Sequence, residues 1–225
     1  MHDAQEPRQG VLHFQVLSAL LTYPGPELLA ALPELQAALA AQPALADKLT
    51  PLFDFLASQG QVALQENYVA TFDRNPKHSL HLFEHIHGES RDRGQAMVDL
   101  LQEYKRHGLL MTPDELPDYV PLFLEFLSQL PAEDAERLLG DAIHVLALIG
   151  DKLQANGSPY HCVFGALRML TTVEPKPLVE PPVRDMDEAM EVFGPSPDGV
   201  EPLLKPGVQS VKFYPKGHRV GAVSG

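Results

Sequence analysis

Between residues 11 and 173 apolar side chains return every three or four positions, and no β-branched run alternates with period two. That spacing turns one face of each 3.6-residue helix inward and predicts an all-α chain that needs no sheet. Prolines and glycines divide the pattern. A first helix over 11–21 stops at Tyr23-Pro24-Gly25-Pro26, because neither proline can continue a helical ladder. Helices over 27–40 and 44–57 follow, parted at Pro43, and a fourth over 61–72 ends at Asn75-Pro76. From 79 to 107 the periodicity runs across Gly88 and Gly94. This predicts one helix, a bend or cap near Gly88, and a second helix closed at Gly108.

The linker MTPDELPDYV places Pro117 and Pro121 four apart, which suits a helix only where both fall in or before its first turn. The expected helix runs to about Leu130, with Asp118 and Tyr119 at its start, where unpaired backbone N–H groups favour a carboxylate. The longest uninterrupted helix is expected over 133–155, with Leu138, Leu139, Ala142, Ile143, Leu146, Ile149 and Leu153 on its apolar side and a stop at Asn156-Gly157. Ser158 is then the expected cap of a last helix ending near Thr171, with Pro159 at its first position.

Composition changes beyond Val173. Residues 174–225 hold nine of the 21 prolines, so they are expected to form a largely disordered, removable tail with one short amphipathic helix at 185–193. The expected organisation is a flexible stretch over 1–10, a single helical bundle over 11–173 and the Pro-rich tail over 174–225. No repeat of solenoid period is present. With 17 Lys+Arg against 30 Asp+Glu the formal net charge is −13, which disfavours nucleic acid and anionic lipid and favours basic partners. The start MHDAQEPRQG carries no secretory signal, and no apolar run nears the ~20 residues that span a bilayer. A cytoplasmic protein without membrane insertion is expected. The single cysteine, Cys162, sits among apolar neighbours and reads as an inert thiol.

Ionisable residues are densest at His78 and in SLHLFEHIHGESRDRG, which holds His81, Glu84, His85, His87, Glu89, Arg91, Asp92 and Arg93. On a helix His78, His81 and His85 would share a face, and the four-residue step from His81 to His85 can chelate a metal. One reading is therefore a metal-dependent hydrolase using His78, His81, Glu84 and His85, although the HExxH order is absent. The other is a polar wall beside Leu80, Leu82, Phe83 and Ile86 that holds a peptide. A second group places Glu115, Asp118, Tyr119 and Glu125 around Phe123, Phe126 and Leu127. Asp118 and Glu125 are about two turns apart, roughly 10 Å, too far to share a proton. Residues 101–141 carry nine Asp/Glu and three Lys/Arg, an acidic surface suited to a basic peptide. Phosphate loops, nucleophile elbows and CxxC pairs are missing from the sequence.

Two stretches are more specific. YVATFDRNPKHSLHLFEHIHGESRDRGQAMVDLLQEYKRHG and ELPDYVPLFLEFLSQLP resemble the NarJ-type nitrate reductase assembly chaperones, within the wider TorD/DmsD family of redox-enzyme maturation proteins. The resemblance covers residues 11–172. It implies an all-helical fold that binds the catalytic (alpha) subunit of respiratory nitrate reductase, at its N-terminal segment, while molybdenum cofactor is inserted and before the complex docks at the membrane. It implies no catalysis, no cofactor or metal kept by the chaperone, and room for a weak homodimer. Carried over by position, the partner-binding residues would be Tyr68, Phe72, His81, Glu84, His85, Glu89, Arg91 and Arg93 in the first stretch, and Asp118, Tyr119, Phe123 and Glu125, beside Pro121, in the second. Tyr119 stands where the wider family carries the histidine of a Pro-Asp-His element. The expected geometry is an apolar groove between the two motif helices, with Asp118 and Glu125 meeting the peptide's Lys/Arg.

Overall fold

The structure, a computed structural model, describes residues 12–87, 91–112 and 115–178. The chain separates into two units, Met1–Pro182 and Val183–Gly225, and all described residues belong to the first. The expected helix at 185–193, the N-terminal stretch, the bend at Gly88 and the side chains of Glu89 and Arg91 lie outside the described residues.

Helices account for the regular structure of these residues. They are α1 (Leu12–Leu20), α2 (Pro26–Ala38), α3 (Pro43–Ser58), α4 (Gln61–Tyr68), α5 (Glu84–His87), α6 (Arg91–Arg106), α7 (Val120–Gln129), α8 (Ala132–Ala155) and α9 (His161–Met169). Pro26, Pro43 and Pro121 sit in first turns, where a missing N–H costs nothing. Gly157 closes α8 with φ +70°, and Gly108 follows α6 with φ +79°, both left-handed conformations that glycine adopts without strain. The all-α expectation holds.

Packing follows the apolar stripes. α1 lies against α7, α8 against α9, and α9 against α3. Leu17, Leu20, Leu49, Leu52, Leu124, Leu146 and Phe164 are fully buried between them, each such side chain stabilising the fold by about 1.5–3 kcal/mol. Close approach of α8 and α9 depends on Gly150, where a Cβ would stand 2.6 Å from Phe164 Cβ. Within residues 92–106 of α6 only Tyr104 is buried, so this helix is held mainly near its C-terminal end.

Four expectations need correction. The expected helix over 61–72 changes after Tyr68 into a π-helical segment, Val69–Asp73, in which Arg74 N–H bonds to Val69 O. The expected helix from residue 79 is extended at first: Pro76–His78 form a 3-10 turn capped by Asn75, and only Glu84–His87 are α-helical before Gly88. Leu80 and Leu82 are both buried, so the backbone there alternates with period two. Asp118 does not cap the helix after the linker: α7 starts at Val120, and its N-cap residue Tyr119 makes no side-chain cap bond. Likewise α9 begins at His161 rather than Pro159, and the buried Ser158 hydroxyl caps nothing. Beyond Val173, Lys176 N–H bonds to His144 Nδ1 and Leu178 packs on the core.

Candidate functional site

Extended backbone at 80–82 gives the two distinctive stretches a way to meet. Leu82 N–H donates to Asp118 O at 3.0 Å and Val120 N–H to Leu80 O at 2.8 Å, an antiparallel bridge that sets His81 opposite Tyr119. Asp118, with 0 % exposure, reinforces it: Oδ2 accepts the Phe83 N–H at 3.1 Å and Oδ1 lies 3.2 Å from His81 Nδ1. A carboxylate can only accept, so His81 presents Nδ1–H to it and leaves Nε2 for other partners. The His81 and Tyr119 rings are 5.4 Å apart. Burial raises the Tyr119 hydroxyl above its ordinary pKa and raises Tyr68 far more, so both stay neutral around pH 7.

Neighbouring elements lock this junction. Tyr68 OH donates to Leu21 O, and it stands 3.5 Å from Tyr119 OH. His78 Nδ1 is 3.1 Å from Thr71 O in the π-helical segment, and His85 Nε2 is 2.8 Å from Ser79 O. Glu84 of α5 pairs with Arg93 of α6 at 3.2 Å. Ser18 Oγ donates to Pro121 O, fixing the start of α7 to α1, and Tyr104 OH donates to Pro117 O at 2.6 Å.

The twelve candidate residues thus divide. His81, Asp118 and Tyr119 are in one place, Tyr68 and Phe72 support it from the core, and Glu84, His85 and Arg93 border it. Phe123 is buried in α7, with 3 % exposure, and Glu125 is exposed further along the same helix. Arg91 opens α6. His78, His81 and His85 do not share a helix face, and among the described residues no group of three or more His, Cys, Asp or Glu is placed to hold a metal ion. The metal-dependent hydrolase reading has lost the geometry on which it rested. The His81–Asp118 pair has the form of an oriented acid–base dyad, yet the nearby Ser79 hydroxyl is engaged by the His81 backbone N–H.

Ser18 and Tyr104 were missed. Tyr104 had a readable signal, being a large aromatic in the polar run LLQEYKRHG. Ser18 had none, since one hydroxyl in an apolar helix looks the same whether it bonds its own helix or another. Cys162 is buried, and burial pushes its thiol up, in keeping with an inert role.

Known proteins match this chain along most of the bundle. The model of the family described as "Nitrate reductase delta subunit" matches residues 30–164. The nitrate reductase molybdenum cofactor assembly chaperone NarJ of Escherichia coli (strain K12) is 42 % identical over 164 residues, 71 % of this chain and 70 % of that protein. A probable chaperone of the same description from Bacillus subtilis (strain 168), also NarJ, is 34 % identical over 68 % of this chain and 87 % of its own length. A crystal structure of a putative redox enzyme maturation protein from Archaeoglobus fulgidus shares the fold, with a TM-score of 0.54 and 21 % identity over 70 % of this chain and 91 % of that one. The residues matched by the family model include the whole junction of His81, Asp118 and Tyr119, and the chain belongs to the nitrate reductase delta subunit family.

Proposed function

We propose that this chain is a system-specific chaperone of nitrate reductase assembly, which holds the immature catalytic subunit while molybdenum cofactor is inserted into it. The observation that carries this reading is the 42 % identity, over 71 % of the chain, to a protein named for that task. The fold is consistent with holding rather than turnover: its two distinctive motifs are spent on a buried hydrogen-bonded junction that fixes α7 against α1.

The physical need is plain. A catalytic subunit without its cofactor exposes apolar surface and an open cleft, and a partner that binds only this form suppresses aggregation and early docking. The cofactor is cargo for the client. Release requires modest affinity, on the order of micromolar or somewhat tighter. The proposed client segment is the N-terminal one, the proposed location is the cytoplasm, and the motif residues act mostly by positioning helices. A weak homodimer is part of the same reading, and sedimentation at rising concentration tests it.

Calorimetric titration with a synthetic peptide of the client's N-terminal segment tests the client, and restoration of nitrate reduction in cells lacking their own chaperone tests the task. Saturable one-to-one binding with restored reduction is expected. Restoration without peptide binding would move the contact to another client segment. Failure of both, with the protein folded, would refute the proposal.

A further inference from the structure

Away from the junction, a groove of about 540 Å³ lies between α1, α2 and α7. Its apolar lining comes mainly from α2, where Leu28, Ala31 and Leu35 are only half-buried. Two lining hydroxyls are already committed, Ser18 to Pro121 O and Thr22 to Ala19 O. What is left on the rim is two exposed carboxylates, Glu27 and Glu125, and the amides of Gln15 and Gln129, and among the described residues no Lys, Arg or His lines the groove. Glu125 and Gln129 also border a second, smaller pocket on the other side of α7, where Glu115 is the one further charged lining residue among those described. Leu110 beside it is 86 % exposed.

We propose that this groove takes a cationic amphipathic segment of the client, with Glu27 and Glu125 recognising its Lys or Arg and the half-buried α2 residues receiving its apolar face. This rests on the chaperone reading and adds to it the residues that touch the client. Charge selects the occupant. A groove whose unspent fixed charges are all negative repels a second copy of this acidic chain and attracts a basic partner. The apolar lining favours a segment that also has something to bury. Glu125 is carried by the helix that Asp118 and Ser18 hold in place, so the junction acts on recognition only through the position of α7. Glu27 also sits in the first turn of α2, where a carboxylate complements the helix dipole. Glu125, mid-helix and exposed, has no such second role.

The test uses the full chain and two synthetic peptides, the N-terminal segment of the reductase's catalytic subunit and the same peptide with every Lys and Arg replaced by Glu. The variants are Glu125→Lys, Glu27→Gln with Glu125→Gln, and Glu27→Lys with Glu125→Lys, each checked by its melting temperature. The wild type is expected to bind the cationic peptide about tenfold or more tightly than the acidic one. The doubly reversed variant should invert that preference, and the double Gln variant should flatten the salt dependence of binding. Glu125→Lys alone should weaken the cationic peptide at unchanged melting temperature. Equal affinity of wild type and all variants for the cationic peptide overturns the groove assignment while leaving the chaperone reading standing. A wild type that binds neither peptide and does not restore nitrate reduction overturns both.

Discussion

At the residue scale the molecule depends on a few polar groups that have left water. Asp118 is the foremost, fully buried and satisfied by one backbone N–H and one imidazole. Asp118→Ala leaves the Phe83 N–H without its acceptor and should cost about 2–4 kcal/mol in urea unfolding, whereas Asp118→Asn, which keeps one acceptor oxygen, should cost roughly 1 kcal/mol. Equal costs for the two would mean that the site reads volume and not hydrogen bonding. His13 supplies a different test. It is buried in α1 and takes a hydrogen bond from Gln42 Nε2, and burial holds its pKa below the usual 6.5. The folded state therefore binds fewer protons than the unfolded one. Its contribution is complete above pH 6.5 and is lost as the pH falls from there through the lowered folded value. His13→Gln should accordingly show a flatter decline in stability between pH 7.5 and 5.5 than wild type. A parallel decline in both proteins would clear His13 of any part in acid sensitivity.

Elements were legible in the sequence wherever a local residue ended them. Pro24, Pro43, Gly108 and Gly157 each force a break through their own backbone, and the structure breaks near each of them. The extended segment at 80–82 was hidden because Leu80 and Phe83 also satisfy a helical three-residue step. Its pairing partner, Tyr119 opposite His81, lies 38 residues away (119 − 81), beyond the reach of any local pattern. The π-helical turn escaped for the same reason, since the carbonyl of Thr71 is taken by a histidine seven residues on. Both motifs were visible as unusual wording, but that their residues face one another, and that Asp118 is fully buried, required the fold. Helix pairing itself makes a prediction. Because a Cβ at Gly150 would stand 2.6 Å from Phe164 Cβ, Gly150→Ala must push α8 and α9 apart, at a cost of about 1–3 kcal/mol. Gly60→Ala, where nothing lies within 4 Å of the added carbon, is the control and should change stability by less than about 1 kcal/mol. Both are read from chemical denaturation midpoints at constant slope.

For the whole molecule, charge and closure pull in different directions. A formal net charge of −13 adds self-repulsion to a bundle that must remain compact, and the same charge would favour the basic client segment proposed above. The composition foretold that sign, but the placing of Glu27 and Glu125 on one groove arises only when α1, α2 and α7 pack together. The segment after α9 shows a similar limit. Proline content marks the change of composition at Val173, but not that residues 173–178 run along α8. A Cβ at Gly140 would meet Val173 Cγ2 at 2.9 Å, Lys176 N–H reaches His144 at 3.0 Å, and Leu178 packs on the core. This strap closes over α8 by burying part of two aliphatic side chains and making one hydrogen bond, about 1–3 kcal/mol together. A chain ending at Leu170 should therefore melt about 3–8 °C below one ending at Leu178, as followed by circular dichroism. Comparing the two truncations isolates the strap, since both lack every later residue. If they melt together, the backbone bond to His144 is made at the expense of water alone and the bundle is complete without it.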